Sequence, residues 1–114
     1  MDQTKISKEN TYIQPSMFKD IFGTNPESKI LELFLEMRNI QDYTPYKIAK
    51  LTCVGPQQVK RVLKKLLINN IIEIKYVHGT YEYYGLKDSS ITKKLISMFD
   101  VIYRIDMGIR IDGK

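Results

Sequence analysis

The sequence predicts a mostly helical α+β fold: a helix-turn-helix unit, then a two-stranded hairpin, then a closing C-terminal helix. Three observations carry this expectation. Two helix starts of one kind, Thr44-Pro45 and Gly55-Pro56, stand close together in the chain, and two helices joined by a short turn form a helix-turn-helix. The runs Ile71 to Tyr76 and Tyr81 to Leu86 are rich in β-branched and aromatic residues and meet around His78-Gly79, which is a hairpin signal. Beyond them Ile91, Leu95, Met98, Ile102 and Ile105 recur at alternating spacings of four and three, the period of a helix with one apolar seam.

Taken in order, residues 1–14 show no sustained apolar period and read as a flexible arm. A short helix from Pro15-Ser16 to Phe22 follows, with Met17, Phe18, Ile21 and Phe22 at helical spacing and Gly23 placed to end it. At Asn25-Pro26-Glu27 an N-cap, a residue suited to the first helical position and an acid at the positive end of the dipole coincide. That helix should run to about Arg38, with Ile30, Leu31, Phe34, Leu35 and Met37 on its apolar side. The first helix of the helix-turn-helix should end near Leu51 and the second near Asn69. On the second, Val59, Val62, Leu63, Leu66 and Leu67 form one stripe, leaving Gln57, Gln58, Lys60, Arg61, Lys64 and Lys65 on the opposite face. In the hairpin, an odd-length loop puts Tyr84 and Leu86 on the face of Ile72 and Ile74, and an even one pairs Lys75 with Glu82. The odd loop is preferred because it buries the larger apolar set. Ser89 or Ser90 can cap the last helix, which should reach about Arg104; the tail over 106–114 reads as irregular.

Composition narrows the function. At 114 residues, 43% hydrophobic, with 8 Tyr and 4 Phe, the chain suffices for one compact domain. No apolar run is long enough to span a bilayer and the start is too polar for a signal peptide, so the expectation is a cytoplasmic protein with no membrane partner. One cysteine, Cys53, and one histidine, His78, cannot build a tetrahedral Cys/His metal site, and the helix-surface carboxylates Asp20, Glu27, Glu32 and Glu36 have no convergent His or nucleophile. No Gly-rich phosphate loop is present, so neither an enzyme nor a bound cofactor or metal is expected. The net charge of +5 is unevenly placed. Tyr46 to Lys87 holds eight basic residues against Glu73 and Glu82, which is +6, leaving −1 for the rest. Positive charge gathered in one stretch is what a polyanion-binding surface requires.

The order of elements resembles that of a winged helix. The residues that carry the resemblance are Ile48-Ala49, Cys53-Val54 and Val59, then Ile71-Ile72-Glu73, Gly79 and Tyr83-Tyr84-Gly85-Leu86. Ala49, Cys53 and Val59 occupy the positions where helix-turn-helix proteins carry a small residue, a turn residue that is usually glycine, and an aliphatic. From Phe18 to about Val101 the chain is similar to winged-helix regulators of the broad ArsR and MarR-like type, the small archaeal ones above all. Cys53 departs from the pattern, since a non-glycine there must take positive φ, and Gly55 replaces the usual serine cap. The cysteines and histidines of metal-sensing ArsR-type repressors are absent, so metal sensing is not implied.

The resemblance implies a double-stranded DNA partner, with the recognition helix over 56–69 in the major groove. Gln57, Gln58 and Arg61 lie in the half of that helix that enters the groove, where Gln can bond adenine and Arg can fork onto guanine O6 and N7. Lys60, Lys64 and Lys65 suit phosphates. Thr44 and Tyr46, at a helix N-terminus, and Lys47 beside them are further phosphate candidates, as are Lys75, His78 and Thr80 of the wing. Regulators of this kind commonly pair through terminal helices, which assigns Ile91, Leu95, Met98, Phe99, Ile102 and Ile105 to a homodimer interface. The expected organisation is thus arm 1–14, winged-helix domain 15–87, dimerisation helix 88–105 and tail 106–114. Two other readings stand beside a transcriptional regulator: a winged-helix module that binds protein only, and a plasmid or viral segregation or replication factor. Cys53 reads as a small buried hydrophobe or a redox switch, and Tyr76, Tyr81, Tyr83 and Tyr84 as strand residues or a stacking platform.

Overall fold

A computed structural model describes residues 16–106 and Gly108; the arm over 1–14 and, apart from Asp106 and Gly108, the tail lie outside them. The order is α1 (Ser16–Phe22), α2 (Pro26–Glu36), α3 (Pro45–Thr52), α4 (Pro56–Ile68), β1 (Ile72–His78), β2 (Tyr81–Leu86) and α5 (Ser90–Asp106). This is mostly helix, with one two-stranded antiparallel sheet between α4 and α5.

Local chemistry sets the helix starts. Asn25 is extended and its Oδ1 accepts the Ser28 amide at 2.8 Å, with Pro26 in the first turn. Thr44 does the same for α3, accepting from the Lys47 amide at 3.2 Å. Gly55 supplies no side-chain cap to α4, where Pro56 leaves one fewer amide to satisfy. α2 stops at Glu36 rather than Arg38, and Arg38 reaches Asp100 of α5 at 2.8 Å. α1 begins with the Met17 amide donating to the Asp106 carboxylate at 3.0 and 2.9 Å, so the far end of α5 closes the start of α1. This is why α5 continues past Arg104, where irregular chain was expected.

Cys53 ends α3 in the left-handed region at φ 59°, ψ 34°, the geometry the turn demands. A Cβ is unfavourable there, so Cys53→Gly is expected to raise stability by up to about 1 kcal/mol, because the relieved strain exceeds the added chain entropy of glycine. Denaturant titration checks the sign, and a loss of stability would contradict it. The thiol is exposed rather than packed as a small hydrophobe.

The wing combines two registers. At its base Ile72 faces Leu86 and Ile74 faces Tyr84, as the odd loop requires, but beyond a bulge at Lys75 Tyr76 faces Tyr83 and His78 faces Tyr81. The turn is therefore the two-residue Gly79-Thr80, with Gly79 at φ 65°, and β1 runs two residues past Tyr76. One extra residue on β1 reconciles an odd register at the base with a tight turn at the tip. The sheet leaves the core as it extends: Ile72 is buried, whereas Ile74 is exposed, contrary to expectation. The base is held by a contact that periodicity does not reveal. Tyr43 and Tyr84 exchange backbone hydrogen bonds of 3.0 and 2.8 Å, tying the wing to the α2–α3 linker.

Two apolar clusters share α2. Ile30, Leu33 and Phe34 meet Ile48, Val59, Val62, Leu63, Leu66, Ile72 and Tyr84 on one side, while Leu35 meets Phe18, Phe99 and Ile102 on the other. Each fully buried aliphatic contributes roughly 1.5–3 kcal/mol, which sets the rotation of α4 about its axis. The buried stripe of α5 is Thr92, Phe99 and Ile102, with Leu95 partly buried beside it. Phe99 packs edge-on against Phe18, with ring centroids 5.7 Å apart. Phe99 and Ile102, assigned above to a dimer interface, thus belong to the chain's own core, 2% and 5% exposed. The heptad seam straddles two faces: one side meets α1 and α2, and the other leaves Ile91 and Ile105, with Val101 beside the seam, between 44% and 47% exposed.

Candidate nucleic-acid interface

Because Val59, Val62, Leu63 and Leu66 all point inward, the outer face of α4 is Gln57, Gln58, Lys60, Arg61, Lys64 and Lys65, every one of them exposed. At roughly 100° per residue, Lys60 and Lys64 lie on one flank of this face, Gln57 and Arg61 near its middle, and Lys65 and Gln58 on the other flank. The two flanks differ in electrostatic state.

The Lys65 flank is tied to α2. Glu27 Oε2 accepts from Arg61 Nη1 at 2.8 Å and from Lys65 Nζ at 2.7 Å. The Lys65 hydrogen bond, then that of Arg61, holds the Glu27 carboxyl well below the usual range, at about 2. The other edge of the Arg61 guanidinium is filled too: Nε donates to Gln58 Oε1 at 3.0 Å, and Nη2 donates to the same oxygen. Lys60 and Lys64, on the far flank, form no ion pair among the described residues. In the sequence Glu27 is an acid suited to a helix N-terminus and a helix-surface carboxylate. Its second role is invisible in sequence because its partners lie more than thirty positions away. Ile68, at the C-terminal end of this face, is 72% exposed and was also not anticipated.

Around this face, the start of α3 brings Tyr46 and Lys47 to the surface, and Lys50 Nζ stands 5.8 Å from the centre of the Tyr46 ring. Thr44 is half-buried, its hydroxyl oxygen engaged in capping. On the wing His78 and Thr80 are exposed, but Lys75 is paired with Glu73 at 2.9 Å. The wing surface is more aromatic than cationic: Tyr76 and Tyr83 stack with centroids 4.4 Å apart, and Tyr76, Val77 and Tyr81 are exposed. Tyr84 is instead a core residue whose hydroxyl donates to Glu82 at 2.8 Å. Burial first, then the Glu82 carboxylate, pushes the Tyr84 phenol up to about 12.

Among the described residues no group of three or more His, Cys, Asp or Glu side chains could hold a metal ion, and no helix is long and apolar enough to cross a membrane.

No protein-family model matches the chain, and no curated protein matches it in sequence. Solved structures do. An apo form of a double mutant of ZitR from Lactococcus lactis is 18% identical with a TM-score of 0.59, over 78% of this chain and 67% of that one. SPO1453, a MarR family transcriptional regulator from Silicibacter pomeroyi, is 14% identical with a TM-score of 0.59, over 92% of this chain and 72% of its own. A mutant of MepR from S. aureus, bound to an oligodeoxyribonucleotide, is 19% identical with a TM-score of 0.54, over 92% and 75%. At such identities the likeness is one of fold, and with the helix-turn-helix and its two-stranded wing in place, this chain is a winged helix-turn-helix protein.

Proposed function

We propose that the protein binds double-stranded DNA sequence-specifically, as a dimeric transcriptional regulator that lays α4 in the major groove. The observation that carries this reading is the outer face of α4: four cations and two amides on one side of a helix whose Val59, Val62, Leu63 and Leu66 are turned into the core, with Ile68 the exposed apolar residue at its C-terminal end. A protein-binding groove would instead present apolar side chains at its centre. Likeness in fold to MepR, solved with an oligodeoxyribonucleotide, supports the same reading.

Roles divide by chemistry. Arg61 offers a planar fork for guanine, and Gln57 and Gln58 offer amides for adenine. Lys60 and Lys64 act as point charges on phosphates, joined by Tyr46 and Lys47 at the start of α3, and more weakly by the wing residues Lys75, His78 and Thr80; Lys65 has the charge for the same role but is tied to Glu27. Pairing through the exposed apolar side of α5, with Ile21 and Phe22 of α1 alongside, would set two copies of α4 about one DNA turn apart, roughly 34 Å, and favour an inverted-repeat site.

Selection from random duplexes at controlled salt tests the reading. Affinity should fall steeply between about 50 and 200 mM salt as bound counterions are displaced; salt-independent binding, or none at low salt, would refute it. Arg61→Ala should lose about 1–3 kcal/mol on the selected duplex and relax preference at one base position, whereas Lys64→Ala should weaken all sequences alike. Identical behaviour of the two variants would contradict the division into base and phosphate readers.

A further inference from the structure

We propose that Glu27 of α2 is a specificity-determining residue: it buttresses Arg61 so that one guanidinium edge is presented for a base, while withholding Arg61 and Lys65 from phosphates. The inference rests on the DNA-binding reading above and adds to it a residue outside the helix-turn-helix.

The geometry of the guanidinium carries the argument. Arg61 has two usable edges, and Glu27 takes the Nη1 end at 2.8 Å. This leaves the Nε–Nη2 edge as the fork. In the free protein that fork closes on a single oxygen, Gln58 Oε1. Guanine in the major groove offers the same edge two acceptors, O6 and N7, one for each N–H, where Gln58 offers one oxygen to both. Gln58 thus stands in for the base. When a guanine arrives, the neutral amide swings aside while the charge-assisted contact to Glu27 stays, so Arg61 is already oriented and little side-chain entropy is lost on reading the base.

The same carboxylate acts oppositely on non-cognate DNA. Without a guanine in register, the gain open to Arg61 and Lys65 is contact with phosphate oxygens. Reaching them means leaving a carboxylate at 2.8 and 2.7 Å and placing it, uncompensated, near a polyanion. Non-specific binding therefore falls mainly to Lys60 and Lys64, which form no ion pair among the described residues, and to the exposed cations of α3. A contact that costs non-cognate DNA and aids the cognate site widens the ratio between them, which is the meaning of specificity.

The test compares the full-length protein and Glu27→Gln on two probes, a random-sequence duplex and the duplex selected by the unmutated protein, with thermal melting to confirm folding. Glu27→Gln should bind the random duplex about three- to tenfold more tightly, with a log–log salt slope steeper by about one to two, because two cations become available to phosphates. On the selected duplex it should bind several-fold more weakly, so that the ratio narrows by about tenfold or more. In an Arg61→Ala background Glu27→Gln should no longer weaken binding to the selected duplex, since only the release of Lys65 remains. Arg61→Lys, which keeps the charge for Glu27 but lacks the fork, should lose affinity for the selected duplex and not for the random one, an arm that stands even if Glu27→Gln fails to fold. Equal shifts on both probes, no shift, or a weakening on the selected duplex that persists without Arg61 would overturn the assignment while leaving DNA binding intact. Failure of the unmutated protein to bind either duplex at low salt would overturn both.

Discussion

Phe99→Ala is expected to lower the unfolding free energy by roughly 3–5 kcal/mol, a large part of the stability of a domain this size. Phe99 is 2% exposed, lies against Phe18, Leu35 and Ile102, and stacks on Tyr103 with centroids 5.9 Å apart. The cavity cannot collapse easily, since α5 is held at one end by Asp106 on the Met17 amide and nearer its middle by Arg38 on Asp100. The control is Val101→Ala, two residues along the same helix but 46% exposed, which should change monomer stability by no more than about 0.5 kcal/mol. Denaturant unfolding at one fixed protein concentration makes the comparison, since dimerisation would add to the apparent stability of both. Equal losses would mean that the seam of α5 faces a partner rather than the core.

The second large effect concerns assembly. Val101→Glu with Ile105→Glu should give a monomer that keeps its helix content and melting behaviour yet binds the selected duplex about a hundredfold or more weakly. Two recognition helices joined in one dimer act with a high effective concentration, and separating them forfeits that avantage without touching any DNA contact. Both side chains are exposed and lie on the side of α5 away from Phe99, so charge there should spare the core. Ile102→Glu would not serve, because a carboxylate at a buried position disrupts folding and confounds the result. Sedimentation of the unmutated protein supplies the check: a monomer at working concentration, or a variant that still dimerises, would remove this face from the assembly.

What could be read in advance was chemistry of short range. Asn25-Pro26 and Thr44-Pro45 start helices because a side-chain oxygen meets an amide three residues on, and Cys53 takes positive φ because the turn between two packed helices leaves it no other region. The outward face of α4 was equally legible, since four apolar residues at helical spacing admit only one rotation onto a core. Likewise the odd register at the base of the wing followed from which strand residues are apolar.

Elsewhere several arrangements suited the pattern, and contacts between distant residues chose among them. The apolar arc of α5 is wide enough to serve a core or a partner, and only the placement of Phe18 and Leu35 turned Phe99 and Ile102 inward. The bulge at Lys75 and the Tyr43–Tyr84 bridge arise where a tight turn and a linker meet, outside any periodicity. Glu27 is the sharpest case: as an acid in a first helical turn it suits the dipole of α2, and its hold on Arg61 and Lys65 exists only because α2 packs beside α4. The elements, the basic face and the turn are written locally, because each depends on residues within one or two helical turns. Which apolar side is core, and which cations pair with Glu27, depend instead on distances between helices that nothing local encodes.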